Sequence, residues 1–176
     1  TTDNEAVVVY RGTGSPSEWK DNFQGGSVTN QPDGVSTAQQ EGALKWYQSQ
    51  DLDGYDSVTV SGHSKGGNKA KYITIMDNSV DRCLSFDGQG FSDEFVNKYE
   101  GKIAENQYKI HNHNVDGDYV NILLNDIGDK TYYKGYNYGD GKFLENHCPN
   151  TYMKYDKDGN FVMVETSQNQ DVQNLD

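Results

Sequence analysis

Apolar residues in this chain come in short runs separated by polar, turn-forming stretches, and the runs alternate between the strand period and the helix period. Ala6-Val7-Val8-Val9-Tyr10 is apolar throughout, the pattern of a parallel strand buried on both faces. Arg11-Gly12-Thr13-Gly14 ends it. Ser17 is placed to cap a short helix containing Trp19, and after the polar, glycine-rich stretch 24–35, Ser36 or Thr37 caps a helix reaching Gln50. Asp51-Leu52-Asp53-Gly54 turns the chain into a strand at Val58-Thr59-Val60. Ala70, Ile73 and Met76 then recur at helical spacing. Arg82 to Phe86 predicts a strand, Asp87-Gly88-Gln89-Gly90 a turn and Ser92 to Tyr99 a capped helix. Tyr108 to His111 predicts another strand, followed by a loop rich in Asn and Asp and the apolar run Val120 to Leu124. Strands alternating with helices predict an α/β fold, with a mostly parallel, doubly wound sheet and helices on both faces.

The last third changes character. Tyr132, Tyr133, Tyr136, Tyr138, Gly139 and Gly141 are aromatic and turn residues, and Tyr152 to Tyr155 with Phe161 to Val164 flank Asp156-Lys157-Asp158-Gly159-Asn160 as a C-terminal β-hairpin. Residues 167–176 are polar and expected to fray. A length of 176 residues fits one domain spanning 1–176. The chain starts at Thr1 and enters a strand almost at once, which favours a fragment lacking N-terminal sequence. No targeting segment is visible at Thr1-Thr2-Asp3-Asn4, and a cytoplasmic location is expected rather than secretion.

Charge narrows the partners. With 27 acidic against 15 basic residues the net charge is -12, and the basic ones are scattered, so nucleic acid is excluded as a partner. A mean hydropathy of -0.93 argues against stable membrane insertion, and no window approaches the roughly 18 consecutive apolar residues of a membrane span. A soluble small molecule is the favoured substrate, and the oligomeric state is left open. Cys83 opens a predicted strand while Cys148 follows His147, so the two are expected at opposite ends of the sheet as free thiols. Asp51 to Asp56 and Asp156 to Asn160 lack the closing Glu of a calcium loop and read as turns. Without Cys-x-x-Cys, His-Glu-x-x-His, a phosphate loop or a dinucleotide fingerprint, neither a metal nor a cofactor is called for.

The strongest chemical signal is Gly62-His63-Ser64-Lys65-Gly66 between the predicted strand and helix, the Gly-x-Ser-x-Gly of a nucleophile elbow. Gly62 and Gly66 remove Cβ atoms that would collide at a tight turn exposing Ser64. A serine hydroxyl needs an imidazole to take its proton and an acid to orient that imidazole. The order Ser, acid, His leaves His147, in Glu145-Asn146-His147-Cys148-Pro149, as the histidine downstream of every candidate acid. Asp118 follows a strand and lies at the carboxyl edge, with Asp116 a close competitor and Asp87 a third choice. His63 is read as packing, since neighbouring side chains point apart. The oxyanion donors are assigned to the backbone at Lys65 and Thr13.

Several stretches together resemble a known group. Val9-Tyr10-Arg11-Gly12-Thr13 followed by Trp19 is similar to a segment of class 3 lipases, and Ser61 to Ala70 resembles more closely an uncharacterised bacterial branch of lipase-like α/β-hydrolases with a Gly-His-Ser-Lys-Gly-Gly-Asn elbow. Phe86-Asp87-Gly88-Gln89-Gly90-Phe91-Ser92 also resembles that branch. The resemblance covers about residues 6 to 155. It implies an α/β-hydrolase core, Ser64 as nucleophile, Asp118 as acid, His147 as base, and an oxyanion hole at Thr13 and Lys65. The Asp-x-Val signature of class 3 lipases falls on Asp118-Tyr119-Val120, which favours Asp118 over Asp116. The expected activity is hydrolysis of a small acyl ester or lipid through an acyl-enzyme. Acyl transfer or thioester cleavage by the same mechanism is one alternative, and a non-catalytic binding module on a hydrolase scaffold is another.

Overall fold

Alternation of burial along β1 (Glu5–Tyr10) shows how the molecule is layered: Ala6 and Val8 are buried, whereas Val7 and Val9 are 58% and 70% exposed. The computed structural model describes residues 4–12, 32–136 and 143–167. Within them β1, β2 (Ser57–His63), β3 (Arg82–Phe86), β4 (Ile110–Val115) and β5 (Asp129–Tyr133) form one sheet in chain order, every neighbouring pair parallel. Helices α1 (Ala38–Gln48), α2 (Lys65–Met76), α3 (Asp93–Lys98) and α4 (Glu100–Asn106) connect them. A right-handed crossover between successive strands in an order that never reverses returns each helix to the same face. One core results, in which Val8, Val60, Cys83 and Ile110 of the strands meet Tyr47 of α1, Ile73 of α2, Phe95 of α3 and Ile103 of α4. Helices on both faces are therefore not found among the described residues. The second face is covered near the carboxyl ends of β3 to β5, where Phe86 stacks on His113 and both Phe86 and Tyr133 meet Tyr152 edge-on.

Two strands differ from expectation for the same reason. The Asn- and Asp-rich stretch after His111 continues β4 to Val115, with Asn112 and Asn114 buried on the core face. Asn112 belongs there because its Nδ2 donates to the carbonyls of Ile127 and Asp129, replacing apolar contact with two hydrogen bonds. Tyr108 lies before the strand in a 3₁₀ turn, Gln107–Lys109. Val120 to Leu124 is not a strand: Leu124 has φ 65° and Ile122 and Leu124 are exposed. The fifth strand is Asp129–Tyr133, a polar edge in which Tyr132 is the buried residue. The predicted hairpin forms as β6 (Met153–Tyr155) and β7 (Phe161–Met163), antiparallel around the turn at 156–160. The helix expected after Ser17, Trp19 and the polar tail 168–176 lie outside the described residues, as does the segment 137–142.

Local chemistry fixes the helix that follows the elbow. α1 starts at a capping box, with Gln40 N–H donating to Thr37 Oγ1 at 3.2 Å and Thr37 N–H to Gln40 Oε1 at 2.8 Å. The same Gln40 donates to Asn68 Oδ1 of α2 at 2.8 Å, and Asn68 donates onward to the Gly90 carbonyl at 2.9 Å. Lys71 of α2 is fully buried and donates to Asp126 at 2.5 Å and to the Gly88 carbonyl at 3.1 Å. Cys83 is buried and Cys148 exposed, both as free thiols. No helix among the described residues is long and apolar enough to cross a membrane.

Candidate active site

β2 ends in Gly62-His63 and α2 begins at Lys65, so Ser64 carries the whole strand-to-helix turn. Its backbone is left-handed at φ 58° and ψ -125°, a region in which a side-chain-bearing residue costs about 1–3 kcal/mol. The glycines are required by space. A Cβ on Gly62 would sit 2.3 Å from the Gly66 carbonyl carbon, and one on Gly66 would sit 2.0 Å from the Tyr10 oxygen. Ser64 N–H donates to the Phe86 carbonyl at 2.9 Å, while its hydroxyl makes no capping bond to α2. Lys65 opens α2, so its amide belongs to the first turn, where the positive end of the helix dipole lies. Gly12 passes directly over the turn, since a Cβ there would lie 3.4 Å from Ser64 Cβ. Thr13, the other expected oxyanion donor, lies outside the described residues.

His147 follows the short helix α5 (Phe143–Asn146) and is buried. Its Nδ1 lies 2.8 Å from Asp118 Oδ2, which assigns the Nδ1 proton to that bond and leaves Nε2 as the basic nitrogen. Asp118 is 2% exposed, with Oδ1 accepting from Val120 N–H at 2.9 Å. Gly117, at φ 77°, makes the turn that points Asp118 inward, and Asn146 Nδ2 donates to the Gly117 carbonyl. Asp116 turns the other way, to the β5 edge, with its N–H on the Tyr133 carbonyl and its carboxylate on Ser167. Of the three acids weighed from sequence, Asp118 is the one that meets His147. Ser64 and His147 line the same pocket, of about 610 Å³, together with Val9, Tyr10, Arg11, Gly12, His63 and Pro149. That volume suits a small ligand. Ser64 Oγ and His147 Nε2 make no hydrogen bond with each other in this structure, a contact that tightens in many enzymes only when substrate is bound.

Burial dominates the electrostatics. It lowers the His147 pKa below the usual imidazole value, opposed by the charge of Asp87. It raises Asp118 to about 6, opposed first by the Val120 amide. An ionised Asp118 beside a neutral His147 is therefore the state above that range.

Sequence reasoning named two further groups near the pair without placing them there. His63, read as packing, packs against the pair: its ring lies 4.7 Å from that of His147 at 37°, and burial, then the charge of His147, lowers its pKa to about 4. Side chains of successive residues do diverge, yet the His147 loop folds back over the strand end and meets the ring there. Asp87, weighed only as an alternative acid, is wholly buried behind His147 and Asp118. Its position straight after a strand was the one sequence signal. Ring nitrogens of His63 and His147 and an oxygen of Asp87 lie within 4.8 Å of one another, the only such grouping among the described residues that offers three metal-ligand atoms. Both oxygens of Asp87 accept hydrogen bonds, from Val115, Asn121 and Tyr152, and His147 Nδ1 is turned to Asp118. His111 and His113 stand on β4, directed at Asp129 and Tyr133.

The family described as Mbeg1-like matches residues 1–168. No curated protein matches the chain.

Proposed function

The chain belongs to the Mbeg1-like family, and on that premise we propose that it is a serine hydrolase cleaving small acyl esters through an acyl-enzyme on Ser64. The family is associated with lipase-like α/β-hydrolases. The observation that carries the reading is the arrangement in one pocket of a serine on a left-handed strand-to-helix turn and a histidine whose Nδ1 is held by a buried carboxylate at 2.8 Å. Nothing in the packing of a binding module requires all three.

Ser64 Oγ attacks the ester carbonyl carbon as His147 Nε2 takes the hydroxyl proton. Asp118 holds the imidazole in the tautomer that accepts it and favours the imidazolium that results. The carbonyl oxygen becomes an oxyanion at the positive end of α2, held by the Lys65 amide and a second donor assigned from sequence to Thr13. Collapse of the tetrahedral adduct breaks the carbon–oxygen bond to the alcohol, which leaves with the proton from His147. Water, deprotonated by His147, then attacks the acyl carbonyl, and collapse of this second adduct breaks the bond to Ser64 Oγ, which takes the proton from His147 as the carboxylic acid leaves.

The test is labelling of purified protein with a fluorophosphonate, with Ser64→Ala and His147→Ala as controls. The expected outcome is labelling of the parent that both substitutions abolish, and an ester chain-length series then separates short esters from lipids. A folded parent that does not label would turn the reading to the binding module.

A further inference from the structure

Asp87 is the residue immediately after β3, wholly buried, with its backbone in the left-handed region at φ 45°. Its carboxylate receives donors from two different loops. Val115 N–H and Asn121 Nδ2 reach Oδ1 at 2.7 and 2.9 Å, and these two residues bracket the loop that carries Asp118. Tyr152 Oη reaches Oδ2 at 2.7 Å, and Tyr152 ends the 3₁₀ turn Pro149–Tyr152 that follows His147. The acid loop and the base loop are thus tied to one carboxyl group. The same Tyr152 Oη also lies 2.5 Å from the His113 carbonyl, so one hydroxyl proton faces two acceptors. A proton on Asp87 resolves that conflict: Asp87 then donates to Tyr152 and Tyr152 to His113.

We propose that Asp87 is a positioning residue, holding the Asp118 and His147 loops together and coupling its own ionisation to the basicity of His147. This rests on the hydrolase reading for its functional meaning. The titratable groups that face the pair are His63 at the end of β2, Asp118 after β4 and Tyr152 below the base loop. Burial, and then the charge of Asp118, push the Asp87 carboxyl up to about 7. Above that pH a second negative charge stands close to His147 and favours the imidazolium formed while His147 holds the Ser64 proton. Below it Asp87 is neutral and Asp118 acts alone.

The experiment follows the His147 ring resonances by NMR from pH 5 to 9, assigned with His147→Gln, beside the pH profile of kcat/KM. Beside the steps of His147 itself and of Asp118, the parent is expected to show a further step at His147 from Asp87, with kcat/KM rising through it. Asp87→Asn keeps the size of the side chain and its Oδ1 acceptor but cannot ionise. It should remove the Asp87 step at His147 and lower the kcat/KM plateau by on the order of tenfold, as when a partner orienting a catalytic group is lost. A folded Asp87→Asn protein in which the His147 titration matches that of the parent overturns the proposal. Should Asp87→Asn fail to fold, Tyr152→Phe removes a donor to the ionised carboxylate and should move the upper step to higher pH; an unmoved step overturns the proposal equally. The NMR reading does not depend on turnover. A parent that resists the fluorophosphonate yet shows the Asp87 step at His147 would sink the hydrolase reading while supporting the coupling.

Discussion

Ser64, Asp87 and Leu124 are the non-glycine residues held at positive φ among those described, and two of the three surround the pocket or its supporting charges. Strain of that kind persists where the surroundings over-determine it. For Ser64 the surroundings are Gly62 and Gly66, and this was legible, because a glycine on either side of a serine states the steric problem in the sequence itself. For Asp87 it was not. An Asp-Gly pair after a strand is the ordinary spelling of a turn, and only packing decides whether the carboxyl faces water or the core. Its burial has a measurable consequence for stability. The folded-state pKa of about 7 lies above the ordinary 3.8, so the stability this group contributes is fully present below the lower value and lost as pH rises through the higher one. Asp87→Asn has no such loss. The melting temperature of the variant relative to the parent is therefore expected to be higher at pH 8 than at pH 5, even as activity falls. A difference that stays constant between the two pH values would show that Asp87 is not buried as a titrating group.

At the scale of elements, α2 is where sequence and structure part most instructively. Its start was legible from the elbow, and its apolar positions Ala70 and Ile73 are in the core. Lys71 lies between them and would be expected to point to solvent, yet it is fully buried against Asp126, in the loop before β5. Spacing within one helix could not reveal this, because the partner comes from a residue fifty-five positions away. A buried pair of this kind is strongly destabilised when one member is removed, since the other charge is left without its counterion. Asp126→Ala is expected to cost about 3–5 kcal/mol in urea unfolding, and Lys71→Met combined with Asp126→Leu to recover most of it. If the single and double variants unfold alike, the pair is not what holds α2 to the sheet. Similar reasoning explains β4 and β5. Their polar residues were read as loop because burial of Asn112 depends on carbonyls that only the folded neighbour supplies.

For the whole molecule, charge and layering matter most. A net charge of -12 on 176 residues implies self-repulsion in the compact state. Raising NaCl from about 0.02 to about 0.5 M screens interactions beyond a few ångströms and is expected to raise the melting temperature. A fall instead would mean that local ion pairs such as Glu5–Arg82 outweigh the general repulsion. The sheet is covered by helices on one face among the described residues, which the uniformly apolar run of β1 did not foretell: Val7 and Val9 are apolar but exposed. Apolar character marks what a position tolerates, and the order of the strands determines which face receives a helix. By itself the sequence determined the α/β class, the hairpin, the elbow and its glycines, because each depends on neighbours within a few residues and on the steric limits of the backbone. Only the tertiary structure decided that His147 meets Asp118 rather than Asp116, that His63 faces His147, and that Asp87 ties both loops together. These contacts join segments 28 to 84 positions apart. Their geometry follows from how strand ends are brought together at one edge of the sheet, which no local pattern encodes.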